Sequence, residues 1–208
     1  MNVVLFGATG MIGSRVLQEL LSRGHKVTAV VRDPGRVPAN PAVKAVKGDL
    51  LNTSEVASVI KGSDAVVSAY SPGENPGKIV DATRSLIAAA KQAGVMRVIM
   101  VGGAGSLLVA PNVRVVDAPN FPEEWKGIAL AHNDALDVLR KADLDWTYFS
   151  PAALIQPGER TGKFRIGANT LVADTQGNSK ISAEDYAIAL VDELERPQHI
   201  RQQFTVGY

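Results

Sequence analysis

Residues 3–24 read VVLFGATGMIGSRVLQELLSRG. Four apolar residues, Val3 to Phe6, break into Gly7, Gly10 and Gly13, after which Val16, Leu17, Leu20 and Leu21 recur at helical spacing. The order is strand, glycine turn, helix. Gly7 suits a sharp turn off a strand, Gly10 lets an anion approach the backbone without meeting a Cβ, and Gly13 lets the helix lie close to the strand. The first N–H groups of a helix have no partner within it and face such an anion. A strand before and a helix after are the context that turns three spaced glycines into a dinucleotide-binding fingerprint.

Working outward, HKVTAVVRDPGR (25–36) supplies a second buried strand after Gly24. At its end an acidic residue holds the ribose 2′-hydroxyl of NAD, whereas an Arg accommodates the 2′-phosphate of NADP. Arg32 stands there with Asp33 beside it and Arg36 on the next turn, which favours NADP and keeps NAD open should Asp33 turn inward. VKAVKGDL (43–50) reads as a third strand. Asp49, next to Leu50 on the cofactor side, either caps a turn or accepts a hydrogen bond from an adenine amino group. TSEVASVIKG (53–62) is a short helix with Thr53 or Ser54 as cap.

DAVVSAY (64–70) is a fourth strand, and it places Ser68, Ala69 and Tyr70 on the rim where ligands of doubly wound sheets lie. Tyr70 either closes the core edge or sits beside a ribose. A helix over 78–93 ends at Gly94, and MRVIMV (96–101) is the fifth strand. Its continuation, GGAGSLLVAPNVRVVDAPNFPEEW (102–125), reads as a long connection with little to build an element of its own. Gly102, Gly103 and Gly105 there either let backbone pass close to a flat ligand or only turn the chain. A helix over 123–141, a sixth strand ending at Ser150–Pro151, a helix capped by Ser182 and a closing strand QQFTVGY complete an α/β pattern. The fold expected is a Rossmann-like, doubly wound parallel sheet in a single domain over residues 1–208, with 151–208 forming a small C-terminal region on the substrate side.

A chain of 208 residues with 46% hydrophobic and 21% charged residues suits one buried α/β domain. Net charge +1 and the lack of any Lys/Arg run argue against nucleic acid as a partner. Without Cys, disulfides, thiolate metal sites and cysteine nucleophiles are excluded, and no Asp/Glu/His spacing suggests another metal site. The first strand begins at once, and no apolar run reaches membrane length, so the expectation is a cytoplasmic protein without a membrane partner, monomer or homodimer.

GATGMIG, VVRD, the GD after the third strand, VGGAGSL, SPAALIQPGERTG and the ISAEDYA helix together resemble the atypical short-chain dehydrogenase/reductase group, within it the NADH-flavin reductase proteins close to NmrA-like and flavin/biliverdin reductases. The resemblance covers nearly the whole chain. It implies cofactor phosphates on Gly7, Ala8, Thr9, Gly10, Met11 and Ile12, and a nicotinamide near Gly102, Gly103 and Ala104 and near Pro151, Ala152 and Ala153. It also implies a substrate cover from about Gly158 to Lys163.

Typical short-chain dehydrogenases carry a YxxxK pair, and this chain does not. Four places after Tyr70, Tyr148 and Tyr186 stand Glu74, Ala152 and Leu190, and Tyr208 is the last residue. Without that relay, alcohol or ketone chemistry is poorly served. Hydride transfer to a free flavin, quinone or similar conjugated acceptor asks mainly that two rings be stacked and oriented. Flavin is then a substrate, since aromatic residues make up only 5% of the chain and no stacking cage for a held flavin is visible. Ser106 and His132 are the groups that remain as catalytic candidates, each alternatively an ordinary loop or helix residue. His25 and His199 read as surface. A slow or non-catalytic NAD(P)-binding sensor of the NmrA type is the alternative function, and a nucleotide-sugar-type epimerase or isomerase a further one.

Overall fold

The computed structural model describes residues 1–208. The strands are β1 Asn2–Phe6, β2 Lys26–Val31, β3 Val43–Lys47, β4 Ala65–Ser68, β5 Arg97–Val101, β6 Leu108–Ala110, β7 Val113–Arg114, β8 Asp145–Ser150, β9 Leu154–Gln156, β10 Arg165–Gly167, β11 Lys180–Ser182 and β12 Gln202–Gly207. The helices are α1 Met11–Ser22, α2 Thr53–Ile60, α3 Lys78–Ala93, α4 Glu123–Arg140 and α5 Ala183–Glu195. Eight strands form one sheet in the order β10-β12-β8-β5-β4-β1-β2-β3. All neighbours in it are parallel except β10, which runs antiparallel to β12 and closes one edge. The winding reverses between β1 and β4, which puts the switch point directly above the glycine turn.

The apolar residues of the strands bury on both faces, as a parallel sheet requires. On one face Val3, Leu5, Val27 and Ala29 pack with Leu17 and Leu20 of α1 and with Tyr186 and Leu190 of α5. On the other, Val4, Phe6, Val66 and Val98 pack with Leu86 of α3, Leu136 of α4 and Tyr148. Phe149, Tyr186 and Phe204 form a continuous stack, with ring centroids 4.1 Å apart at each step. No helix is long and apolar enough to cross a membrane.

Three local readings change. Helix α2 is capped by Asn52, whose Oδ1 accepts the Glu55 N–H at 3.4 Å, while Thr53 is the first helical residue and its hydroxyl meets Ser85 of α3 at 3.0 Å. The 102–125 stretch is not bare connection: it folds into the antiparallel pair β6–β7 between two single-turn 3₁₀ segments. Its register comes from a distant partner. The Leu108 N–H donates to the Asn169 carbonyl at 2.8 Å and the Leu171 N–H donates to the Leu108 carbonyl at 2.9 Å, so residues 169–171 of the C-terminal region buttress the hairpin. His25 and His199 are not free surface groups either. His25 is buried between the amino terminus (3.3 Å) and Glu195 (2.8 Å), and the His199 ring stacks on Phe204 while its Nδ1 meets Glu193 at 2.8 Å.

Candidate functional site

The three glycines of the first turn differ in what requires them. Gly7 has φ +79°, and a Cβ on it would collide with the Ala69 carbonyl of β4's exit. A Cβ on Gly13 would collide with the Gly7 carbonyl, so this residue sets how closely α1 approaches β1. Gly10 is different. Its φ is −79° and the nearest protein atom to an added Cβ is the Gly7 carbonyl oxygen at an ordinary 3.4 Å. Nothing in the protein demands glycine there, and the space it leaves opens on the cleft above the sheet. The first bond of α1 runs from Ser14 N–H to the Gly10 carbonyl at 2.9 Å, so the N–H groups of Met11 and Ile12 have no protein acceptor.

The cleft beside this turn, about 410 Å³, is lined by Gly7, Thr9, Gly10, Arg32, Arg36, Gly48, Asp49, Leu50, Ala69, Tyr70 and Lys78, among others. Lys78 and Leu51 join it without having been singled out from the sequence, and Arg36, noted there on the turn after the second strand, arrives because Pro34–Arg36 makes a single 3₁₀ turn off β2. Arg32, Arg36 and Lys78 enter no ion pair with the protein's own carboxylates. Asp33 does not line the cleft; its Oδ1 accepts the Gly35 N–H at 3.0 Å and caps that turn. Asp49 caps a turn as well, through Oδ1 and the Leu51 N–H at 3.0 Å, while still lining the cleft. Tyr70 packs on the core edge and also faces the cleft. Burial raises its phenol above the usual range, Asp49 adds to the rise and Arg32 opposes it.

Ala8, Ser68, Pro151 and Ala152 are buried; Met11 is exposed and Ile12 half-buried. Gly102 is required by packing, since a Cβ would run into the Tyr148 ring. Gly103, Ala104, Gly105 and Ala153 border a second hollow of about 380 Å³ above β5 and β8. The rest of its wall comes from β6, the segment after β7 and the start of α4: Val109, Val115, Ala118, Asn120, Phe121, Pro122, Trp125, Ile128 and Ala129, closed by His132. Those up to Trp125 were missed because they belong to the stretch that reads as connection, and Ile128 and Ala129 because they read as ordinary helix residues. The only hint was the density of Val, Phe and Trp in a segment that a solvated loop would not carry.

His132 is held by Tyr148. The Tyr148 hydroxyl accepts the Gly103 N–H at 3.3 Å, donates to the His132 carbonyl at 2.9 Å and lies 3.1 Å from His132 Nδ1. With the phenol hydrogen on the carbonyl, that last contact needs Nδ1–H as donor, which leaves Nε2 a bare acceptor at the hollow's wall. Burial pulls the imidazole down to about 4, so it is neutral near pH 7. Burial pushes the Tyr148 phenol up, and with its hydrogen engaged it is no proton donor to a substrate.

The other candidate, Ser106, does not face this hollow. Its Oγ accepts Gln203 Nε2 at 2.7 Å, and the same amide reaches Ser150 at 2.9 Å, so Ser106 is drawn toward β12. Nor does the 158–163 segment cover the hollow. Gly158 N–H donates to Glu184, Arg160 pairs with Glu19 at 2.9 Å and Thr161 donates to Asp185, which pins the segment on α1 and α5. No three His, Asp or Glu side chains gather as metal ligands.

Parallel strands in this order, a glycine turn at the switch point and a cationic cleft define a Rossmann-like nucleotide-binding protein. The chain belongs to the NAD(P)H-binding family, whose model matches residues 7–197, and it fits the atypical short-chain dehydrogenase/reductase and NmrA-like group. Over its whole length it is similar to a proposed exported protein from Burkholderia pseudomallei (53% identical, 100% of both chains, TM-score 0.93). It is likewise similar to a proposed epimerase from Bacteroides thetaiotaomicron (44%, 100% of this chain and 96% of the other, TM-score 0.95). A proposed NADH-flavin reductase from Streptococcus pneumoniae TIGR4 is 34% identical over 100% of this chain and 99% of the other, at TM-score 0.89.

Proposed function

We propose that the protein is an NADPH-dependent reductase that delivers hydride to a conjugated ring acceptor, a free flavin or a quinone. What supports this most is the pairing along one sheet edge of a cleft carrying three unpaired cations with an uncharged hollow that has no Tyr–Lys relay. Bound NADPH supplies the hydride.

The chain's own residues bind and orient. The Gly10 gap admits a pyrophosphate, and the free N–H groups of Met11 and Ile12 donate to it. Arg32 and Arg36 offset the charge of a 2′-phosphate, and Asp33, which does not line the cleft, does not compete for a 2′-hydroxyl. Asp49 serves the adenine amino group through its second oxygen, and Tyr70 flanks a ribose. Gly103, Ala104, Pro151 and Ala153 border the nicotinamide. The neutral His132 Nε2 accepts a hydrogen bond from an N–H or O–H of the acceptor and so sets its orientation.

Negative charge arriving on a conjugated ring is delocalised, and water delivers the proton, so no side chain has to be an acid. The Streptococcus relative's name agrees with this chemistry. Epimerisation, named for the Bacteroides relative, is less well served in a chain without YxxxK. Steady-state oxidation of NADPH and NADH with a panel of flavins and quinones tests the proposal. Turnover with at least one ring acceptor and a lower KM for NADPH is expected. Tight NADPH binding with no acceptor turned over above background overturns it in favour of a sensor.

A further inference from the structure

We infer that the acceptor hollow selects uncharged acceptors and discriminates against phosphorylated or sulfonated ones, so that riboflavin or a neutral quinone, rather than FMN or FAD, fits it. This rests on the ring-acceptor reading above and adds what the ring carries. None of the fourteen residues lining the hollow is charged. Its polar groups are the Asn120 side chain and the bare His132 Nε2, and the latter, as an acceptor, repels an anion's oxygen.

The residues just outside the wall do not compensate. Arg114 is held by Asp117 at 2.6 Å and Lys126 by Glu123 at 3.3 Å, while Glu124 beside them has no cationic partner. Arg160, in the segment expected over a substrate, is paired with Glu19 on α1. Of the charged residues flanking the wall in sequence, both cations, Arg114 and Lys126, are paired and Glu124 is not, whereas the cofactor cleft offers three unpaired cations. Moving an unpaired anion out of water toward apolar walls is strongly unfavourable, far more so than the gain from any extra contact of its tail. Size agrees: about 380 Å³ is at the lower end for a hollow taking a ring-sized ligand.

Riboflavin and FMN share one isoalloxazine and differ in a single phosphate, so they isolate the charge. Each is titrated into the full-length protein saturated with NADP⁺, following quenching of flavin fluorescence. A riboflavin Kd lower than the FMN Kd by about tenfold or more is expected. The variant Asn120→Lys, which places a cation on the exposed part of the wall, is expected to shrink that ratio at least threefold by about the effect of one added ion pair. FMN binding as tightly as riboflavin, neither flavin binding below millimolar concentration, or an unchanged ratio in Asn120→Lys overturns the inference. NADPH oxidation is then followed with 1,4-naphthoquinone and with 1,2-naphthoquinone-4-sulfonate. Selective riboflavin binding without turnover of any acceptor upholds the inference about charge and overturns the reductase reading alone.

Discussion

The cleft over β1 to β4 and the hollow over β5 and β8 lie along the same carboxyl edge of one sheet, yet they are built from different materials. The first is made by strand ends and tight turns, and Arg32, Arg36 and Lys78 reach into it without carboxylate partners. The second is walled by a hairpin and the start of a helix, with Phe121, Trp125 and Ile128 in place of charge. The difference teaches how such a fold divides labour. Phosphate recognition can be written in a short local motif, because backbone N–H groups and one or two cations suffice. A ring-binding wall has to be assembled from segments far apart in the chain, which is why residues 169–171 are needed to hold Leu108 in place.

The contrast can be broken first at the strand-to-helix turn. Gly13→Val drives a side chain into the Gly7 carbonyl, and a loss of about 3 kcal/mol or more in urea-unfolding stability is expected, with NADPH binding lost alongside. A loss under about 1 kcal/mol would show that α1 can retreat from β1.

On the other side, the buried His132 makes the hollow sensitive to acid. Its imidazole titrates near 6.5 in the unfolded chain and near 4 when folded. Between those values the unfolded chain binds more protons, so stability is full above pH 6.5 and falls as the pH drops toward 4, by on the order of 3 kcal/mol in all. Unfolding curves from pH 7.5 to 4.5 should show this slope in the wild type and a shallower one in His132→Asn, which keeps a donor near the Nδ1 position. Parallel slopes would remove His132 as the acid-sensitive group.

Smaller effects sharpen the contrast. Arg32→Ala should weaken NADPH binding about 30-fold and leave NADH within about twofold, the size expected for losing a charge-assisted contact to phosphate. Equal losses for both cofactors would reassign Arg32 to a general role. Trp125→Ala, at a side chain already 54% exposed, should raise the KM of a ring acceptor by about fivefold with the NADPH Kd unmoved. A shift in NADPH binding instead would mean that the two regions are not separate.

Much of this was readable along the chain. The strands from β1 to β5, β8 and β12, and all five helices, follow from apolar periodicity bounded by glycine or by capping residues. The helix α5 begins with Ser182 accepting the Asp185 N–H at 3.0 Å, as its spacing implies. That Gly7, Gly10, Arg32, Asp49 and Tyr70 come together at one cleft was equally legible, because each stands on the connection that follows a recognisable strand. What escaped was non-local. Ser106 was drawn to Gln203, ninety-seven positions away, and the 158–163 segment to Glu19, Glu184 and Asp185. Neither partner is marked by any local pattern.

The amino-acid order by itself therefore determined the alternation of strand and helix, the switch point and the glycine turn, since these depend on neighbours within a few residues and on the shape of glycine. Only the tertiary structure decided which nitrogen of His132 is free, that Tyr148 is locked by Gly103 and His132, and that a stretch resembling loop becomes the apolar wall of a hollow. Those outcomes depend on hydrogen-bond partners and buried surfaces brought together by packing, and a buried contact between distant residues leaves no signature in the spacing of either one.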